Sequence, residues 1–140
     1  MKFEVSCQYA HHNANESVSF GSMLPDSVLR AFDEFDWQGQ VIEANRLQGI
    51  SPTFSVEDPS EKRLIWVSGY GKPEKISFVS ECTVRRAKKV FFGLMERERA
   101  VEIGHTETFT RDQARRVLEL FMSDSESELR SFYKNRENRS

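Results

Sequence analysis

The sequence predicts an α+β fold: a single antiparallel sheet of about five strands, packed against one helix in the N-terminal half and another near the C-terminus. Three observations predict it. Segments that alternate apolar and polar residues run together through the middle of the chain instead of interleaving with helices, which argues against a parallel α/β sheet. Two stretches, 25–35 and 110–121, carry apolar residues at helical spacing. The chain has 140 residues, 38% hydrophobic and 30% charged, with eleven Phe, enough for a single domain (1–140) with a real core.

The first element is a strand over 2–9, where Phe3, Val5 and Cys7 alternate with Lys2, Glu4, Ser6 and Gln8. The polar stretch His11–Glu16 is a loop, and Val18 with Phe20 suggests a second short strand before Gly21. Pro25-Asp26-Ser27 opens a helix, because proline suits the first turn and Asp26 complements the positive end of the dipole. Val28, Leu29, Phe32 and Phe35 form its apolar stripe. Residues 37–50 are ambiguous: Gly39 and Gly49 punctuate them, and either a short strand or a turn of helix fits Val41, Ile42 and Leu47. Phe54 and Val56 alternate with Thr53 and Ser55, the cluster Glu57–Glu61 turns the chain, and Leu64-Ile65-Trp66-Val67 returns it as a hairpin. Gly69–Pro73 reads as a second turn, followed by a strand over 76–84. Two more strands are expected at 88–94 and 100–103, joined by Glu96–Arg99. Arg85–Glu98 also contains good helix formers, but Val90-Phe91-Phe92 favours a strand.

The closing helix is the clearest element. Thr110-x-x-Gln113 is a capping box, and Ala114, Val117, Leu118 and Phe121 follow at the spacing of a buried face. Ser125-x-x-Glu128 opens a shorter helix with Leu129, Phe132 and Tyr133, and 134–140 is expected to fray.

Few chemistries find their residues. Cys7 and Cys82 are the only cysteines, too few for a disulfide framework and not in a metal-binding pair. His11 and His12 are adjacent and diverge, and His105 stands alone, so no metal or cofactor is expected. Gly69-Tyr70-Gly71-Lys72 leads into Pro73 and a strand rather than a helix, so it is a turn, not a phosphate loop. Cys82 with His105 is the one pair from which an enzyme could be built, without local support; no enzymatic activity is expected. No run approaches the ~20 apolar residues of a membrane helix. Charge interrupts the N-terminal apolar residues at once, so the expected compartment is the cytoplasm, with reduced thiols.

Charge is divided along the chain: −7 over residues 1–61 and +5 over 62–140. The basic run Arg85, Arg86, Lys88 and Lys89, followed by Phe91 and Phe92, is the best signal for a nucleic-acid-binding or regulatory adaptor. A pI near 6.0 speaks against that reading. The acidic clusters Asp33-Glu34 with Asp36, and Glu57-Asp58 with Glu61, suit a basic protein partner. Trp37 and Tyr70, beside turn signals, are candidate exposed anchors.

Phe32-Asp33-Glu34-Phe35-Asp36-Trp37 leading to Ser51–Val56 and Leu64–Ser68, with the ending Glu107–Ala114 and Val117–Phe121, resembles the immunity proteins of bacterial polymorphic-toxin, contact-dependent and type VI systems. The likeness covers about half the chain and consists of capping and core patterns. It implies a stoichiometric inhibitor of a toxin domain, basic and in many systems a nuclease, acting without turnover. The contact residues expected from charge and turn placement are Asp33, Glu34, Asp36, Trp37, Glu57, Asp58, Glu61 and Tyr70.

Overall fold

The structure, a computed structural model, describes residues 1–90, 95–123 and 125–137. The elements in chain order are β1 (Phe3–Gln8), β2 (Val18–Met23), α1 (Pro25–Glu34), α2 (Trp37–Leu47), β3 (Thr53–Asp58), β4 (Arg63–Lys72), β5 (Lys75–Val90), β6 (Met95–Phe109), α3 (Arg111–Met122) and α4 (Glu126–Glu137). The strands form one antiparallel sheet in the order β2-β1-β3-β4-β5-β6, so the fold is α+β with six strands rather than five.

Three expectations are corrected. The strands expected at 76–84 and 88–94 are one strand as far as Val90, and 91–94 lie outside the described residues. Glu96–Arg99, expected as a connection, belongs to β6 and pairs with Lys89–Arg86. Beyond Val84, β5 has left β4 and pairs with β6 alone, so the period-two signature of a half-buried sheet is not demanded there. Gly69–Lys72 is not a turn but the end of β4; the reversal is the two-residue link Pro73-Glu74 between Lys72 and its partner Lys75.

All four helices lie on one face of the sheet. Alternation sends Phe3, Val5 and Cys7 of β1, Phe54 and Val56 of β3, Ile65 and Val67 of β4, and Phe78 and Cys82 of β5 to that face, where they are fully buried. α1 begins with Pro25 in its first turn and buries Val28 and Phe32, one turn apart. The Phe32 ring meets Phe54 edge-on at 5.8 Å. α3 is capped as expected: the Gln113 amide donates to Thr110 Oγ1 at 3.2 Å and the Thr110 amide donates to Gln113 Oε1 at 2.8 Å. Its face carries Ala114, Val117, Leu118 and Phe121, and Phe121 packs on Phe3 at 6.1 Å. α4 runs from Glu126 through Glu137.

The ambiguous stretch 37–50 is α2. Asp36 caps it, with Oδ1 accepting the Gly39 amide at 3.0 Å, and Gln48 ends it in the left-handed region at φ 50°.

Two sheet glycines seat helix aromatics. A Cβ on Gly69 would lie 3.1 Å from Trp37 Cε3, and one on Gly104 would overlap the Tyr133 ring. Tyr133 is buried, its hydroxyl 2.8 Å from Ser80 Oγ. Gly104→Ala is therefore expected to displace Tyr133 and break that buried hydrogen bond. The expected loss is about 2–3 kcal/mol of stability, read as a lowered urea midpoint at unchanged slope. A loss under about 0.5 kcal/mol would mean that α4 is not seated there.

Candidate partner-binding face

The opposite face of the sheet is bare of helices among the described residues. It is built by the other half of the alternation: Leu64, Trp66, Ser68 and Tyr70 of β4 point away from Arg63, Ile65, Val67 and Gly69. Register places these residues in cross-strand rows. One row runs Ser6, Ser55, Trp66, Glu81, His105, and the next runs Glu4, Glu57, Leu64, Thr83, Glu102. Trp66 at the centre is half-buried, while Leu64 and Tyr70 are 38% and 37% exposed. The Tyr70 hydroxyl donates to the Glu107 carbonyl at 2.6 Å, fixing that ring at one end of the face.

Carboxylates surround this apolar centre: Glu4, Glu57, Glu81, Glu102 and Glu107 share the face with Arg85 and His105. His105 lies between two of them, Nδ1 3.9 Å from Glu81 and Nε2 3.9 Å from Glu107. The face is thus a strip of large apolar side chains inside an acidic field, the pattern of a surface that attracts a basic partner and then desolvates against it.

The structure brings only some of the expected contact residues here. Glu57 and Tyr70 are on the face, and the exposed Glu61 borders it in the turn between β3 and β4. Asp33, Glu34 and Asp36 lie at the end of α1 and the start of α2, in the helix layer. Asp33 is spent internally: Arg115 Nε donates to it at 2.9 Å, and Arg111 donates to its carbonyl at 2.9 Å, tying α1 to α3. Asp36 is the α2 cap.

Two expected anchors are corrected outright. Trp37 is 1% exposed, because the turn signal before it starts a helix that drives the ring onto Gly69 and Phe78, and its Nε1 donates to the Phe32 carbonyl at 3.1 Å. Asp58 is also 1% exposed, since alternation turns it to the helix side. There it accepts from Arg63 Nη2 at 3.1 Å, from Ser60 Oγ at 2.7 Å and from the Glu61 amide at 3.3 Å. Burial pushes the Asp58 carboxyl up, but the Ser60 hydroxyl, Arg63 and the Glu61 amide outweigh it and hold the pKa below its ordinary value. The Arg63 guanidinium sits 4.7 Å above the Phe121 ring.

Trp66, Glu81 and Glu102 were missed by sequence reasoning. Leu64–Val67 reads as one apolar run, which hides that every second residue faces outward. The longer alternation from Arg63 to Tyr70 reveals Trp66, and register across β5 and β6 then places Glu81 and Glu102 beside it.

The remaining candidates disperse. Cys82 is buried on the helix face opposite Gly104, while His105 is on the bare face, so they form no thiolate–imidazole pair. Burial pushes both thiols up to about 12, which keeps them protonated and unreactive. Strand alternation splits the basic run: Arg85 belongs to the bare face, whereas Arg86 pairs with Glu126 of α4. No group of three metal-ligating side chains occurs among the described residues, and none of the described helices is long and apolar enough to cross a membrane. Compared with protein-family models, with curated proteins and with solved structures, the chain matches none significantly.

Proposed function

We propose that the chain is an immunity-type binding protein of the cytoplasm, which neutralises a basic toxin domain by stoichiometric occlusion and without turnover. The observation that carries this reading is the bare sheet face, with Trp66 and Leu64 set among Glu57, Glu81 and Glu102. Its field steers a cationic partner, raising the association rate at low salt. Trp66 then supplies the desolvated contact that slows dissociation. The resemblance to toxin-immunity proteins supports the choice of partner, and the division of the basic run between two faces makes the nucleic-acid adaptor the weaker reading.

The test takes the protein encoded by the neighbouring open reading frame, purified and assayed for toxin activity. Equimolar chain is expected to abolish that activity. Glu81→Lys with Glu102→Lys is expected to slow association at least tenfold at low salt and to flatten its salt dependence, while Glu34→Lys in the helix layer leaves both unchanged. Undiminished toxin activity in the presence of excess chain would overturn the reading.

A further inference from the structure

We propose that the ribbon made by the far ends of β5 and β6 is a second surface, which binds the phosphates of duplex DNA without regard to base sequence. The ribbon is the part of β5 beyond Val84, where β4 no longer runs alongside and pairing is with β6 alone. Its pairs run from Arg85↔Ala100 to Val90↔Met95, a length of about 20 Å. Residues opposite one another across two strands share a side, and successive pairs alternate sides. Register therefore places Arg86 with Arg99, Lys88 with Arg97 and Val90 with Met95 on one side. Arg85 with Ala100, Ala87 with Glu98 and Lys89 with Glu96 belong to the other. The second side sets two cations against two acids. The first carries four cations and no acid of its own.

Strand alternation divides the basic run 85–89, but β6 returns Arg97 and Arg99 to the side of Arg86 and Lys88. That side continues the one on which Val84 is buried, so it adjoins the helix layer and is turned away from the bare face. Glu126 of α4 accepts from Arg86, yet it is shared with Arg130, whose Nε lies 3.6 Å away. The result is a local positive pole on a chain of net charge −2. Like charges directly opposite weaken a ribbon, so its own stability does not account for Arg86 facing Arg99 or Lys88 facing Arg97. A polyanion laid along that side relieves the repulsion. Alternate residues of a strand are about 6.7 Å apart, which is the axial rise of two phosphates on one DNA strand. A two-stranded ribbon is also an element that the major groove of duplex DNA admits.

The experiment is a fluorescence-anisotropy titration of a short labelled DNA duplex of arbitrary sequence with the full chain, repeated over a range of salt. Saturable binding is expected, with log affinity falling against log salt at a slope of about −3 to −4, about 0.9 for each phosphate contact. Arg97→Gln with Arg99→Gln should weaken binding at least tenfold at low salt and flatten the slope by about 2. The melting temperature of this variant should not fall, since like-charge repulsion is removed, and this separates lost binding from lost fold. Lys89→Gln, on the other side, should leave the slope within about 0.5 of the parent value. Polyglutamate and phosphatidylserine vesicles serve as competitors for an acidic protein and a membrane. Absence of binding at low salt, a slope unchanged in the double variant, or displacement of the duplex by either competitor as readily, charge for charge, as by unlabelled duplex would each overturn the proposal. Glu81→Lys with Glu102→Lys tests the bare face alone, so failure of one surface is distinguishable from failure of the other.

Discussion

Replacing Trp37 with alanine is expected to destabilise the fold by about 3–5 kcal/mol, the range for removing a buried large aromatic. Trp37 is the hub of the aromatic cluster: its ring lies 4.3 Å from Phe35, 4.9 Å from Phe78 and 5.4 Å from Phe32. Its removal leaves a void over Gly69, which has no side chain of its own, and frees the Phe32 carbonyl from its indole donor. The melting temperature should fall by more than 10 °C. Fluorescence gives an independent check. The chain has two tryptophans, so the variant reports Trp66 alone, half-exposed on the bare face, and its native emission should shift to the red. A loss under about 1 kcal/mol would mean that α2 is not anchored by this ring.

Asp58→Asn is expected to lower stability by about 3 kcal/mol at neutral pH. It removes the carboxylate facing Arg63 while leaving the guanidinium buried, and breaking one side of a buried pair is more damaging than replacing both. The double variant Asp58→Asn with Arg63→Met should therefore recover part of the loss. The pH dependence follows from direction. The folded-state pKa of Asp58 is depressed, so its ionised form contributes stability fully above the unfolded value near 4, and that contribution is lost as pH falls through the lower folded value. The gap between the two proteins in urea denaturation should hold from pH 7 to about pH 5 and narrow below pH 4. A gap independent of pH down to pH 2 would show that the ion pair is not its source.

The helices α1 and α3, the α3 capping box and the antiparallel strand class were legible because each rests on local chemistry. Pro25, Asp26 and the Thr110/Gln113 box act within one helical turn, and Phe3, Val5 and Cys7 announce their own period. α2 was illegible for an equally local reason. Gly39, read as a breaker, lies in the first turn of the helix, where a Cβ would collide with the capping Asp36 carboxylate. Its absence of side chain makes room for the cap. The candidate site was harder, because which face of a strand meets solvent depends on where helices from both ends of the chain settle. Asp58 shows the limit: in sequence it sits in a turn-rich acidic cluster, and only its register opposite Arg63 reveals that it is interior. Trp37, expected as an exposed anchor, is interior for the same reason.

The strand order also bears on the route by which the chain reaches this structure. Every neighbouring pair in the sheet is consecutive in sequence except β1 with β3. The meander from β3 to β6 closes through short links, whereas pairing Gln8 with Thr53 encloses about 45 residues that include β2, α1 and α2. Loop-closure entropy therefore sets that junction apart from the rest. The meander, with the closing α3, is therefore expected to nucleate early, with docking of β1 along β3 as the slow step. Substitutions in the β1–β3 seam, such as Val56→Ala, should slow folding, whereas those at the β2 edge should act mainly on unfolding.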